Sequence, residues 1–133
     1  MTVSVPEPAA GADWSYTLPY AARLIAVTAQ FAASATAANR WPALVGVAGP
    51  ASIYAAYVYM VGTAVTASTT AQLQGQPGMS VGAPTTIAGP VAITRYSYPP
   101  TGVLPADSII ESITFNIQAG DQWSDISLVL EPA

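Results

Sequence analysis

Cysteine and histidine are absent from this 133-residue chain. Lysine is absent too, since the three basic residues are Arg23, Arg40 and Arg95. Without cysteine there is no disulfide, no thiolate nucleophile and no thiolate metal site. Without histidine and lysine, the commonest general bases and the partners that activate nucleophiles are missing. Zinc loses its usual nitrogen and sulfur ligands in the same way. Ionic residues make up only 8% of the chain, against about 25% in an ordinary soluble domain. From Trp41 to Thr94 no side chain carries a formal charge. Three arginines under a net charge of −4 cannot make the phosphate contacts that drive nucleic-acid binding, so nucleic acid is not an expected partner.

What is present argues for one folded domain. Disorder pairs low hydrophobicity with high charge, and this chain is 52% hydrophobic. Its length suits a single core that needs neither metal nor disulfide. Leu44 to Val65 is long and apolar enough to raise the question of a membrane helix. Gly46, Gly49, Pro50 and Gly62 interrupt it, Tyr54, Tyr57 and Tyr59 fall in its middle, and no basic cluster flanks it. Those features argue against a bilayer span. Thr2 to Gly11 lacks the basic start of a signal peptide and contains Pro6, Glu7 and Pro8.

Residues 1–12 are rich in proline and alanine and read as an extended N-terminal arm, with the domain proper over 13–133. Beyond Asp13, turn residues recur at short intervals, among them Pro19, Pro42, Gly62, Pro90, Gly102 and Gly120. Short runs between regular turns predict an all-β fold, an antiparallel β-sandwich of jelly-roll type. The clearest strand is Ile109 to Ile117, with Ile109, Glu111, Ile113 and Phe115 on one face and Ile110, Ser112 and Thr114 on the other. The last strand alternates Ile126, Leu128 and Leu130 with Ser127, Val129 and Glu131. Gln118 to Asp121 between them suits a hairpin connection. Ala22 to Ala38 is compatible with helix or strand, and the β-branched residues of its first half favour strand. Ala43–Ala48, Ile53–Val61, Val65–Leu73 and Val91–Tyr98 complete the expected strands.

The surviving chemistry is carboxylate chemistry. Asp121 and Asp125 bracket Trp123, but their spacing forces neither into a cleft, and both read as solvated turn-formers. Gln118, Asp121, Gln122, Ser124 and Asp125 offer oxygens without a calcium-loop spacing. No catalytic residue, metal or cofactor is therefore assigned. Arg40 reads as one half of a structural ion pair, with Asp121 as its partner. Aromatic residues are enriched where proteins meet, and Trp14, Tyr16, Trp41, Tyr54, Tyr57, Tyr59, Tyr96 and Tyr98 are the expected interface positions. Trp123 and Phe115 are expected in the core.

Three stretches carry a resemblance: Ala38-Asn39-Arg40, Gly102-Val103-Leu104-Pro105, and Ile117 to Asp125. In order and spacing the chain resembles, from about Trp14 to Glu131, short all-β proteins encoded among the structural genes of tailed bacteriophages. Its alanine- and tyrosine-rich centre departs from them. The resemblance implies a virion protein made in the host cytoplasm, specifically a capsid decoration (cement) protein. Such proteins bind the major capsid protein and copies of themselves, often as trimers. Other readings are a tail or connector component, a carbohydrate-binding fibre module stacking sugars on Trp123 or Trp41, and a small membrane protein such as a holin.

Overall fold

The computed structural model describes residues 1–47, 55–59, 64–77, 85–87, 91–98 and 103–133. Among them it holds ten strands and no helix. They are β1 (Thr2–Val5), β2 (Ser15–Thr17), β3 (Ala22–Ala32), β4 (Trp41–Val47), β5 (Ala55–Tyr59), β6 (Thr70–Pro77), β7 (Thr85–Ile87), β8 (Val91–Tyr98), β9 (Ile109–Phe115) and β10 (Gln122–Pro132). One sheet has the order β1-β10-β3-β6-β8-β7 and the other β2-β9-β4-β5. Every described pairing is antiparallel except β6 with β8, which run parallel. The expected all-β class holds, with mixed pairing in the larger sheet. Within the Leu44–Val65 stretch, the described residues are strand where β4 and β5 pair antiparallel, Leu44 to Val47 with Ala55 to Tyr59. No helix of the described residues is long and apolar enough to cross a membrane.

Both sheets contribute to one buried apolar cluster, from Val27, Phe31, Trp123, Ile126, Leu128 and Leu130 on one side to Ile110 on the other. Trp123 stands at its centre. Its ring meets Phe31 edge-on at 5.0 Å and Trp14 edge-on at 6.4 Å, a geometry that adds about 0.5–1.5 kcal/mol per pair beyond area burial. Strict alternation would not bury both Trp123 and Ile126, which differ by three positions. A bulge between Ser124 and Ser127, with Asp125 at φ 49°, shifts the alternation so that both face inward.

Two local expectations are overturned, the β9–β10 hairpin and the start of the Val65 strand. β9 and β10 are not a hairpin: β9 lies in the four-stranded sheet and β10 in the six-stranded one. The connection between them crosses from sheet to sheet, helped by Asn116, which turns the chain at φ 62°, a conformation asparagine tolerates. Within the expected arm, Thr2–Val5 pairs with Ile126–Val129 of β10 as an edge strand. The segment predicted as strand from Val65 starts later: Val65 makes only a two-bond bridge with Arg40, and β6 begins at Thr70.

The segment after β1 is pinned by Gly11, whose N–H donates to the Asp121 carbonyl at 2.7 Å. Gly11 sits at φ 80°, and a Cβ there would lie 3.0 Å from the Cα and carbonyl oxygen of Ala119. Only glycine fits both constraints. Gly11→Ala is expected to lower stability by about 1–2 kcal/mol from the backbone conformation alone, with the clash adding to it. A shift in the urea midpoint at unchanged slope measures the loss, and an unshifted midpoint would refute the tight contact.

Candidate functional site

At one end of the sheets, the β3–β4 loop and the β9–β10 crossover meet at a fully buried ion pair. Arg40 Nε donates to Asp121 Oδ2 at 2.9 Å and Nη2 to Oδ1 at 3.1 Å, with both side chains wholly inaccessible. Two further guanidinium N–H groups donate to the Ala38 carbonyl at 2.6 Å and the Ser34 hydroxyl at 3.1 Å. Asp121 also accepts from the backbone N–H groups of Ser34 and Gln118, each at 2.8 Å. The planar fork of arginine suits this two-pronged grip. Burial alone would raise the Asp121 carboxyl. The hydrogen bonds from Arg40, Ser34 and Gln118 outweigh that and hold it below its ordinary value of 3.8. The structure thus brings together the two residues expected to pair, and it corrects the expectation that Asp121 is a solvated turn residue. Its oxygens face the guanidinium and two backbone N–H groups. No group of three or more acidic, histidine or cysteine side chains that could hold a metal occurs among the described residues.

A second carboxylate does work that sequence reasoning missed. Asp13 Oδ1 accepts from the hydroxyls of Ser112 at 2.7 Å and Thr114 at 2.6 Å, and from Trp123 Nε1 at 3.1 Å. Its Oδ2 accepts the Thr114 N–H at 3.0 Å. With their hydroxyls satisfied, Ser112 and Thr114 are buried beside Ile110. The alternate positions of β9 then face outward, and Phe115, expected in the core, is 64% exposed. Ile113 and Trp41 are each 41% exposed, and Trp41 lies directly opposite Phe115 in the ladder. Cross-strand neighbours lie about 4.5–5.5 Å apart at Cβ, and Ile113 lies two positions from Phe115 on the same face of β9, so the three positions make an apolar stripe on one face of the sheet. A signal for this was present in the sequence. Glu111 sits in the row of Ile109, Ile113 and Phe115, and an unpaired carboxylate does not belong in a core.

The other expected interface residues divide. Trp14 is 3% exposed and belongs to the core, because its ring packs against Trp123; this corrects its assignment to a surface. Tyr16 is half-buried against the same core. Tyr54 lies outside the described residues. Tyr57 and Tyr59 occupy β5 opposite Gly46 and Leu44, and Tyr96 and Tyr98 occupy β8 opposite Gly75 and Pro77; the expectation for their side chains lies outside what is described. Trp41 alone of the expected set is shown as a large exposed aromatic.

Comparison of the chain with protein-family models, curated proteins and solved structures returned no match. The class that the geometry defines is an all-β protein of two sheets with a shared core. Its most distinctive described surface is an apolar stripe on the outer face of the smaller sheet.

Proposed function

We propose that this chain is a structural protein that works docked against other protein, as a decoration protein on the capsid of a tailed bacteriophage. Its two sheets are read as a jelly-roll-like sandwich, and its partners as the major capsid protein and further copies of itself, arranged as a trimer. The observation that carries the reading is the stripe of Trp41, Ile113 and Phe115. Exposed aromatic clusters of this kind mark protein contact sites. Scarce charge supports the reading. Arg40, Asp121 and Asp13 direct their charges inward, so the described exterior carries even fewer ionic groups than the sequence suggests. The phage assignment rests on the sequence resemblance, and the docking assignment rests on the stripe.

The double variant Trp41→Ser/Phe115→Ser should keep a strand-rich circular dichroism spectrum and lose occupancy on purified particles, counted by mass spectrometry. Alanine-scan experience places the loss at about 2 kcal/mol or more per central aromatic, roughly thirtyfold in affinity. Full occupancy of a folded double variant would remove the stripe from the contact. Hundreds of copies per particle would mark a shell protein, and a dozen or fewer a tail or connector component. Of the two tryptophans that a carbohydrate-binding reading would use, Trp123 is buried and Trp41 is exposed. Selective glycan binding abolished by Trp41→Ala would favour it.

A further inference from the structure

β1 is the outermost strand of the larger sheet, and little holds it there. Of its four residues, only Val5 is buried, Val3 packs partly against the core, and Thr2 and Ser4 are exposed. The rest comes from the ladder to Ile126–Val129, from Met1 and Leu130, whose N–H groups donate to each other's carbonyls at 2.9 and 2.8 Å, and from the Tyr20 hydroxyl donating to the Met1 sulfur at 3.2 Å. From Pro6 to Ala12 the chain forms no strand. Two contacts to β10 and its approach hold that connector: Gln122 Nε2 donates to the Pro8 carbonyl at 2.9 Å, and Gly11 N–H donates to the Asp121 carbonyl. Firm anchoring begins at Gly11, close against Ala119, and continues at Asp13, whose carboxylate grips Ser112, Thr114 and Trp123. The segment before Gly11 is therefore a strap over the edge of β10.

We infer that this strap exchanges between copies, so that Thr2–Val5 of one chain occupies the β10 edge of a second. The acceptor edge is matched to this sequence, taking valine at alternate positions in register with Ile126 and Leu128. Every contact that β1 loses on leaving its own chain is recovered when the same segment of another copy replaces it. A bare β10 edge would present unpaired N–H and C=O groups, which favour capture of another strand. Pro6 and Pro8 restrict the connector to extended backbone, a conformation with the reach to place the strap on a neighbouring copy. The inference is independent of what the apolar stripe binds.

The absence of cysteine makes the test direct. Ser4 and Ser127 are paired in register, so chains carrying only S4C are mixed with chains carrying only S127C and oxidised. The expected product is a disulfide-linked dimer that contains one chain of each kind and grows with protein concentration. The S4C/S127C double variant should close within one chain when dilute. A mixture of S4C with T17C, which places the second thiol on the other sheet, should stay unlinked. No mixed dimer from S4C and S127C, while the double variant closes internally, would overturn the exchange. Equal linking in the T17C control would overturn it too, and a double variant that fails to close would remove the register on which it stands.

Discussion

Arg40→Met should destabilise the fold by about 3–5 kcal/mol, the range for removing one partner of a buried ion pair. That is a large part of the 5–15 kcal/mol by which domains are typically stable. Methionine fills much of the arginine volume but leaves Asp121 buried, with only backbone and Ser34 donors facing it. It also leaves the Ala38 carbonyl and the Ser34 hydroxyl without the donors they had. Denaturant unfolding at neutral pH measures the loss. Asp121→Asn should cost less in the Arg40→Met background than in the parent, with a coupling of about 0.5–3 kcal/mol. Additive costs would show that the two residues do not act as a unit.

The same pair sets an acid limb. Because the folded-state value of Asp121 lies below 3.8, the unfolded chain takes up this proton first as the pH falls. The contribution is complete above 3.8 and is lost as the pH drops from there through the lowered folded value. The parent should lose stability more steeply than Asp121→Asn over that window. Parallel slopes for the two proteins would contradict the sign.

Strand positions were legible where alternation and turn residues agreed. β8 spans the predicted Val91–Tyr98, and the buried series Ile126, Leu128, Leu130 is the predicted one. Scarcity of charge marked Arg40 for a structural ion pair, but it did not single out Asp121 among seven carboxylates. Connectivity was not legible. Gln118–Asp121 has the length of a hairpin turn, and nothing local distinguishes a turn within one sheet from a crossover between two. What decides it is Asp121 pointing inward to a guanidinium 81 residues away in sequence. The facing of β9 was marked in the sequence only by Glu111, which shares a row with Ile109, Ile113 and Phe115. Alternation reveals two faces, and composition alone suggests that the isoleucines and Phe115 turn inward. A carboxylate near the start of the domain reverses that by satisfying the hydroxyls on the opposite face.

Asp13→Ala is therefore expected to have an effect comparable to loss of Arg40, about 3–5 kcal/mol. It strands the hydroxyls of Ser112 and Thr114, the Thr114 N–H and the Trp123 indole N–H, which all donate to this carboxylate. Each buried donor left unpaired costs about 1–3 kcal/mol. Hydroxyl rotation and the 3.2 Å contact from Trp123 Nε1 to Thr114 Oγ1 recover part of the loss. Asp13→Asn keeps one acceptor oxygen and should cost less than alanine. Because Trp123 both packs in the core and donates to Asp13, its fluorescence should shift in either variant before global unfolding. The consequence for function is larger than the position suggests. Asp13 holds the polar face of β9 inside and so keeps Ile113 and Phe115 outside, while the ladder places Trp41 beside Phe115. A folded Asp13→Ala protein should weaken docking without altering any stripe residue. If it unfolds at the parent midpoint and docks with parent affinity, the carboxylate does not orient β9. The stripe would then need another cause.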